Sequence, residues 1–412
     1  MAHSTATYFT LDNGLRCVHL HQPGAPVGYF GAAVRAGSRD EDLGRGQAGL
    51  AHFVEHTIFK GTARRSSWHI INRMEAVGGE LNAFTGKEDT VVYAAFARGN
   101  LSRAAELIAD LIINSRFPQA QIDREREVVC DEIDSYLDQP SEAVFDDFED
   151  LLFSTDGLGH NILGTRRSVR NLSSEDCVEW LNTYYNISRT ILFYAGAYGV
   201  DAFRKIVSTY FSELRTGKSV DTLATVTPAP RFDVHRTVRS HQSNVVMGSA
   251  LPPMRLPERT VMALLTNILG GPGMNSLLNV ELRERRGLVY NVEASMTTFS
   301  NCGEFMVYFG CDPSDAARCA NIVQQKLEEM AAHRLSERRL AAAKKQYLGQ
   351  LILANDNREN RAIAVGRATL FRGRALTATE VTEMVRAVTP EDLRPAAAMV
   401  ATPSVLTLGP KL

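Results

Sequence analysis

The two halves of this chain of 412 residues follow the same order of predicted elements. Each half contains a strand, a helix, a pair of strands, two further helices, and a closing helix followed by a strand. The closing helices begin alike, because Ser173-Ser174-Glu175-Asp176 and Thr389-Pro390-Glu391-Asp392 both place a hydroxyl residue before acidic residues. A chain of this length with such a repeat predicts two cores. The predicted fold class is α+β, with two homologous α/β half-domains, each a mostly antiparallel sheet packed with helices.

The spacing of apolar residues and turn residues places the individual elements. A region rich in Thr, Ser and Pro predicts a linker at 216–231, between a first domain at 1–215 and a second at 232–412. In the first half we predict two strands around the Asn13-Gly14 turn, strands at 28–36, 81–85, 90–97 and 190–195, and helices at 68–77, 100–114 and 119–138. In the second half we predict strands at 245–250, 289–297, 304–310 and 404–408, and helices at 260–269, 313–332 and 336–355.

Composition excludes several classes of protein. The hydrophobic fraction of 44% and the charged fraction of 22% are typical of a soluble globular protein. A net charge of -2 gives no electrostatic reason to expect nucleic acid or an anionic membrane as a partner. No signal peptide is visible in the first residues, and no apolar run is long enough to span a membrane. We therefore expect a cytoplasmic protein without membrane or nucleic-acid partners.

The six cysteines are also consistent with the cytoplasm. They are scattered along the chain without a Cys-x-x-Cys pair. This pattern indicates reduced thiols, most of them buried, and neither a disulfide framework nor a thiolate zinc site.

The most specific chemical motif is His52-Phe53-Val54-Glu55-His56. On a helix, residues four apart share a face, so His52 and His56 can bind one zinc ion from the same side. Glu55 is then able to hold a water molecule beside the metal, as in the reverse of the His-Glu-x-x-His motif. An accidental pair of histidines is the alternative, but two unpaired histidines would be costly on a largely apolar helix.

A catalytic zinc site needs a third protein ligand from another element. The predicted helix at 119–138 offers two carboxylates, Glu125 and Glu132, which are seven residues apart and share a face. The other acidic residues of this helix alternate with Arg124 and Arg126, which indicates a solvated surface. Spacing alone leaves the choice between Glu125 and Glu132 open.

These motifs closely resemble those of the pitrilysin/insulinase family of inverted-motif zinc peptidases, in the branch of mitochondrial processing peptidase and its bacterial relatives. The resemblance rests on His52–Thr62, on Gly78–Thr85 and on Glu125–Glu132. It implies that Glu132 is the third zinc ligand and that Glu125 holds a histidine ligand in place. It also implies that Asn82 and Ala83 lie on an edge strand that pairs with the substrate backbone.

The second half carries a weaker match to the same family. The segment Leu282–Tyr290 resembles a motif whose Arg and Tyr reach the substrate, which implies that role for Arg283 and Tyr290. From the residues alone, they are a basic helix end and an aromatic residue on a strand. The chain departs from the family pattern at Pro272 and at Asn244, which affects the expected substrate contacts and not the zinc site.

The resemblance implies a zinc endopeptidase that acts on extended, unfolded peptides inside a clamshell chamber, with one Zn²⁺ per chain. Glu55 would be the general base, and Tyr290 would stabilise the oxyanion. Because both halves of the site lie in one chain, we expect a homodimer. One alternative is a non-catalytic scaffold or partner subunit, which would have a degenerate metal motif. Another is a structural zinc domain, in which four protein ligands would close the metal site.

Overall fold

In the computed structural model, the strands of the chain form two mixed sheets, and helices cover both faces of each. The structure describes residues 6–219 and 223–411. Part of the predicted linker, residues 220–222, lies outside this range, as do the first five residues of the chain. The division into domains at 216–231 stays a prediction.

The first sheet has six strands, in the order β1-β2-β6-β3-β5-β4. Only β2 and β6 pair in parallel, and the other neighbours are antiparallel. The strand β4 has one neighbour, β5, so it forms an edge of the sheet. The strands are β1 (Ala6–Thr10), β2 (Arg16–His21), β3 (Val27–Val34), β4 (Glu80–Thr85), β5 (Thr90–Ala97) and β6 (Thr190–Gly196).

The second sheet has five strands, in the order β7-β11-β8-β10-β9. Its only parallel pair is β7 with β11, which corresponds in position to β2 with β6. The shared strand order and the shared parallel pair confirm that the two halves repeat one α+β unit. The strands are β7 (Asp233–Thr237), β8 (Ser243–Leu251), β9 (Val289–Thr298), β10 (Gly303–Cys311) and β11 (Ser404–Gly409).

Between the strand hairpin and the last strand of each sheet, both halves have five α-helices in the same sequence order. In the first half they are α1 (Leu50–Thr57), α2 (Ser67–Glu75), α3 (Leu101–Asn114), α4 (Gln119–Leu137), α5 (Pro140–Leu152), α6 (Arg166–Asn171), α7 (Ser174–Tyr184) and α8 (Val200–Tyr210). In the second half they are α9 (Leu256–Gly270), α10 (Ala316–Ala332), α11 (Glu337–Ala354), α12 (Arg358–Arg372), α13 (Ala378–Ala387) and α14 (Pro390–Val400). A six-residue π-helical segment, Asn279–Glu284, precedes β9. None of the helices in the described ranges is long and apolar enough to cross a membrane.

Each sheet receives one covering helix from the other half of the sequence. One face of the first sheet packs against helices of its own half, and the opposite face packs against α12. The close approach of α12 requires Gly366, because a Cβ atom there would lie 2.6 Å from the Phe193 ring. Similarly, α5 covers the outer face of the second sheet through Val144 and Phe148. The two compact units therefore interleave along the chain, and α5 and α12 occupy equivalent places in the order of helices.

Most predicted elements lie within a few residues of the observed ones, but α5, α6, α8, α12, α13 and β7 were not predicted. The helix α1, which carries the His-x-x-Glu-His motif, ends at Thr57, and a short 3₁₀ turn, Ile58–Lys60, follows before Gly61. The tighter turn brings Lys60 close to α4, as described below.

Candidate metal centre

The helix α1 is held at its N-terminus by a buried carboxylate. Its N-cap, Gly49, has a φ of 90°, and a Cβ atom there would lie 2.6 Å from the Leu163 carbonyl oxygen, so glycine is required. The backbone N–H groups of Gly49 and Ala51 each donate to Glu41 at 2.8 Å. His160 Nε2 lies 2.7 Å from the same carboxylate. Glu41 thus fixes the start of the helix that carries the two histidines.

His52 and His56 face each other on α1, with ring centroids 4.5 Å apart. Burial, with a smaller contribution from His56, lowers the pKa of His52 to about 3, so this imidazole is neutral and able to bind a metal. Burial also opposes a charge on His56, but the hydrogen bond to Glu125 and the nearby carboxylates outweigh it, and the pKa of His56 is raised. The two imidazoles therefore differ in how readily they bind protons.

The helix α4 brings two carboxylates to this pair. Glu132 Oε1 lies 3.8 Å from His52 Nε2, and Glu132 Oε2 lies 3.4 Å from His56 Nε2. Glu125 lies behind the histidines, with Oε1 3.0 Å from His56 Nδ1 and Oε2 2.8 Å from Lys60 Nζ. The geometry therefore favours Glu132 as the third metal ligand, with Glu125 orienting the His56 ring.

The donor set fits a zinc ion with one open position. Possible ligand atoms of His52, His56 and Glu132 all lie within 4.8 Å of one another. Donors bound to a tetrahedral zinc at about 2.0–2.1 Å would be about 3.3 Å apart, close to the separations of Glu132 from the imidazole nitrogens. Two imidazoles and one carboxylate are the ligands of several catalytic zinc sites.

The third chemical group of the motif, Glu55, lies between the metal cluster and the end of β4. Its Oε2 accepts a hydrogen bond of 2.7 Å from the Thr85 hydroxyl. Burial raises the pKa of Glu55, and hydrogen bonds from Thr85 together with the nearby His56 offset part of that effect. A raised pKa makes the carboxylate of Glu55 a better proton acceptor.

Asn82 and Ala83 lie on β4, the edge strand of the first sheet, and both are partly exposed. The side of β4 opposite β5 has no strand neighbour among the described residues. Its backbone is therefore able to pair with an extended peptide.

Arg283 and Tyr290 belong to the second unit. Arg283 lies in the π-helical segment, forms an ion pair of 3.0 Å with Glu284, and lines a recess of about 250 Å³. Tyr290 is the second residue of the edge strand β9, is 57% exposed, and donates a hydrogen bond of 2.8 Å to Asp312 Oδ1. This hydrogen bond raises the pKa of Tyr290, so the phenol keeps its proton. The recess is lined by Gly270, Gly271, Pro272, Met274, Asn279, Arg283, Asn291, Val292, Glu293 and Ala294.

The remaining acidic residues of α4 lie on the exposed face of the helix, as their alternation with arginines indicated. Asp123 forms an ion pair of 2.8 Å with Arg126, and Glu127 lies 3.9 Å from Arg170. Sequence reasoning missed three residues around the site, Lys60, Thr85 and Glu41, which contact Glu125, Glu55 and the start of α1. Lys60 follows His56 by four residues and could have been found by that spacing, whereas the other two contacts depend on tertiary packing.

Two units of sheet and helices, one of which carries a His-x-x-Glu-His helix beside a carboxylate helix, define the inverted-motif class of zinc peptidase folds. The model of the insulinase family, peptidase family M16, matches residues 16–166, and that of the peptidase M16 inactive domain matches residues 171–347. The chain belongs to peptidase family M16. The chain contains no second His-x-x-Glu-His motif, in agreement with an inactive second domain.

Relatives and solved structures agree with this assignment. The chain is 31% identical to an uncharacterized zinc protease of Streptomyces coelicolor, over 97% of this chain and 89% of the relative. It is 33% identical to an uncharacterized zinc protease of Mycobacterium tuberculosis, over 93% of this chain and 88% of the relative. Its fold is similar to that of a peptidase M16 inactive domain from Pseudomonas fluorescens, with a TM-score of 0.90, 17% identity, and coverage of 99% and 98%. A protease from Helicobacter pylori has a similar fold, with a TM-score of 0.88, 20% identity, and coverage of 99% and 100%.

Proposed function

We propose that this protein is a zinc-dependent endopeptidase that hydrolyses extended, unfolded peptides. The observation that carries the proposal is the convergence of His52, His56 and Glu132, whose possible ligand atoms lie within 4.8 Å of one another. Glu55 lies on the same helix and has a raised pKa. The similarity to proteins named zinc proteases supports both the metal and the reaction.

In this proposal each residue has a distinct task. His52, His56 and Glu132 hold one Zn²⁺, which when bound lowers the pKa of a water molecule and polarises the substrate carbonyl. Glu55 accepts the proton of the attacking water and then donates it to the leaving amine. Glu125 accepts a hydrogen bond from His56 Nδ1 and so leaves Nε2 for the metal.

The substrate in this proposal binds in an extended conformation along β4, next to Asn82 and Ala83. Arg283 and Tyr290 provide substrate contacts from the second unit, with Arg283 as a donor to a carbonyl or carboxylate. Tyr290 donates to the oxyanion once its hydroxyl has exchanged Asp312 for the substrate. A clamshell chamber completed by a second copy of the chain would exclude folded proteins. We further propose a cytoplasmic location, which the six buried free cysteines support.

The test is the substitution Glu55→Gln, assayed on an unstructured peptide. We expect the variant to keep the metal and the fold and to lose at least about 100-fold in kcat, because the amide cannot accept the proton. Glu127→Gln on the exposed face of α4 is the matched control and should cleave at the wild-type rate. Unchanged turnover in Glu55→Gln would refute the mechanism. A wild-type chain that binds zinc and cleaves no peptide would favour the non-catalytic partner subunit.

A further inference from the structure

The general base of the proposed mechanism is held by a residue at the end of the edge strand. The Thr85 hydroxyl donates to Glu55 Oε2 at 2.7 Å, and Thr85 is the last residue of β4. The backbone N–H of Thr85 also donates to this carboxylate, so Thr85 contacts Glu55 through two groups. The terminal torsion angle of a glutamate side chain otherwise has a broad, nearly two-fold distribution. A hydrogen bond at one oxygen therefore sets the orientation of the carboxylate.

The turn that follows Thr85 is held by more charged contacts than a surface hairpin requires. Asp89, whose side chain is 1% exposed, receives two hydrogen bonds from Arg367 of α12, at 2.5 and 2.7 Å. Glu88 forms an ion pair of 2.8 Å with Arg39, and both side chains are largely buried. The bidentate geometry of Arg367 fixes position as well as charge.

One further segment contacts the same turn, and the segment of Arg39 contacts it again through its backbone. Lys87 Nζ donates to the His160 carbonyl oxygen at 2.7 Å. The backbone N–H groups of Ser38 and Arg39 donate to the carbonyl oxygens of Gly86 and Lys87, at 3.2 and 2.8 Å. The turn is therefore fixed by three separate segments of the chain, and Thr85 directly precedes it.

We propose that Thr85 is a positioning residue for Glu55, and that the charged contacts of the turn at residues 86–89 keep Thr85 in place. This inference rests on the proposed peptidase function. Loss of the hydroxyl leaves the partly buried carboxylate of Glu55 with only the backbone hydrogen bond from Thr85, so its orientation is less restricted. Such a change affects the proton transfer and leaves substrate binding along the backbone of β4 intact.

The test compares Thr85→Val, which keeps the shape of the side chain, with Thr85→Ser, which keeps the hydroxyl. For Thr85→Val we expect kcat on an unstructured peptide to fall about tenfold or more, with KM within about twofold and the zinc content unchanged. Thr85→Ser should restore most of the lost activity. Thr209→Val, on the exposed face of α8, is the matched control and should match the wild type.

A second measurement uses the metal-free protein and does not depend on activity. In a double-mutant cycle of Thr85→Val with Glu55→Ala, we expect the shifts in thermal midpoint to be non-additive, because the residues are in contact. Additive shifts, or a Thr85→Val enzyme as active as the wild type, would overturn the positioning role alone. A wild-type chain without peptidase activity would overturn the proposed function together with this inference.

Discussion

The two histidines of α1 respond differently to pH, and this difference determines how protons compete with zinc. Burial keeps His52 neutral, with a pKa of about 3, whereas the carboxylates around His56 raise its pKa despite burial. Below the raised pKa, zinc must displace one proton from His56 and none from His52. We expect zinc affinity to fall about tenfold for each pH unit below that pKa and to level off above it.

Isothermal titration with Zn²⁺ at a series of pH values measures this dependence. Proton uptake by both histidines would instead give about a 100-fold loss for each pH unit in the same range. That steeper dependence would contradict a permanently neutral His52.

The two carboxylates of α4 should differ when each is replaced. We expect Glu132→Ala to lose bound zinc, because it removes a ligand. Glu125→Ala should still bind zinc, with an affinity about 10- to 100-fold weaker, because it removes only the partner of His56 Nδ1. Metal analysis after dialysis measures both, with Glu127→Ala as the control. Full zinc content in Glu132→Ala would refute its assignment as a ligand.

Much of the candidate site could be predicted from sequence, because its residues lie on regular elements. The spacing of His52, Glu55 and His56 predicts that their side chains lie on the same side of a helix. The spacing within α4 restricts the candidates for the third metal ligand to Glu125 and Glu132. The choice between them depends on how α4 packs against α1, which no local pattern contains. The contact of Thr85 with Glu55 joins a strand end to a helix, and it is likewise a product of tertiary packing.

At the scale of elements, a half-buried ion pair joins α12 to the turn between β4 and β5. Arg367 contacts Asp89, and Glu359 accepts a hydrogen bond of 2.7 Å from the Tyr93 hydroxyl on β5. Because Arg367→Met leaves the carboxylate of Asp89 buried without its partner, we expect a loss of about 2 kcal/mol in the stability of this unit. Hydrogen exchange of α12 and β5 amides measures that loss.

The control for this substitution is Arg318→Met on α10. Arg318 is 62% exposed and lies 3.9 Å from Asp315, so its removal should change stability by less than about 0.5 kcal/mol. Equal protection of α12 and β5 in the wild type and in Arg367→Met would show that the ion pair does not stabilise these elements.

The elements themselves were largely predictable, whereas their partners were not. Nearly continuous apolar runs locate β3 and β5, which are buried on both faces, and helical spacing locates α3, which has one apolar side. The sequence of α5 also has helical spacing, with Val144, Phe148 and Leu152 on its buried side. That local pattern does not predict that α5 covers the second sheet, because the partner of α5 is determined by tertiary packing.

At the scale of the whole molecule, the interleaved units predict that neither half folds alone. A fragment of residues 1–219 lacks α12, so Ile191 and Phe193 on the outer face of the first sheet would be exposed to water. The same fragment contains α5, whose apolar side would lack the second sheet. We expect the fragment to aggregate or to bind a hydrophobic dye when expressed alone, with the full chain as the control.

Co-expression with a second fragment, residues 223–412, should recover soluble protein, because each fragment then supplies the helix that the other lacks. A soluble monomeric first fragment with a cooperative unfolding transition would contradict the dependence of the first unit on α12.

The proposed homodimer is tested by the native mass of the purified chain. We expect twice the mass of one chain, because the proposed chamber needs a second copy to close it. Sedimentation equilibrium measures this mass. A monomer that retains full peptidase activity would refute the dimer as a requirement for cleavage.

Each half of the chain supplies a covering helix, α5 or α12, to the sheet of the other half. This exchange of helices bears on the ancestry of the chain. A half-length ancestor with this topology would have packed one of its helices on the sheet of a second copy, and it would have existed as a domain-swapped pair. Fusion of two such genes converts the intermolecular swap into the interleaved order of segments in this chain. In such a pair both copies would carry the same sequence, whereas in this chain only the first half carries the His-x-x-Glu-His motif.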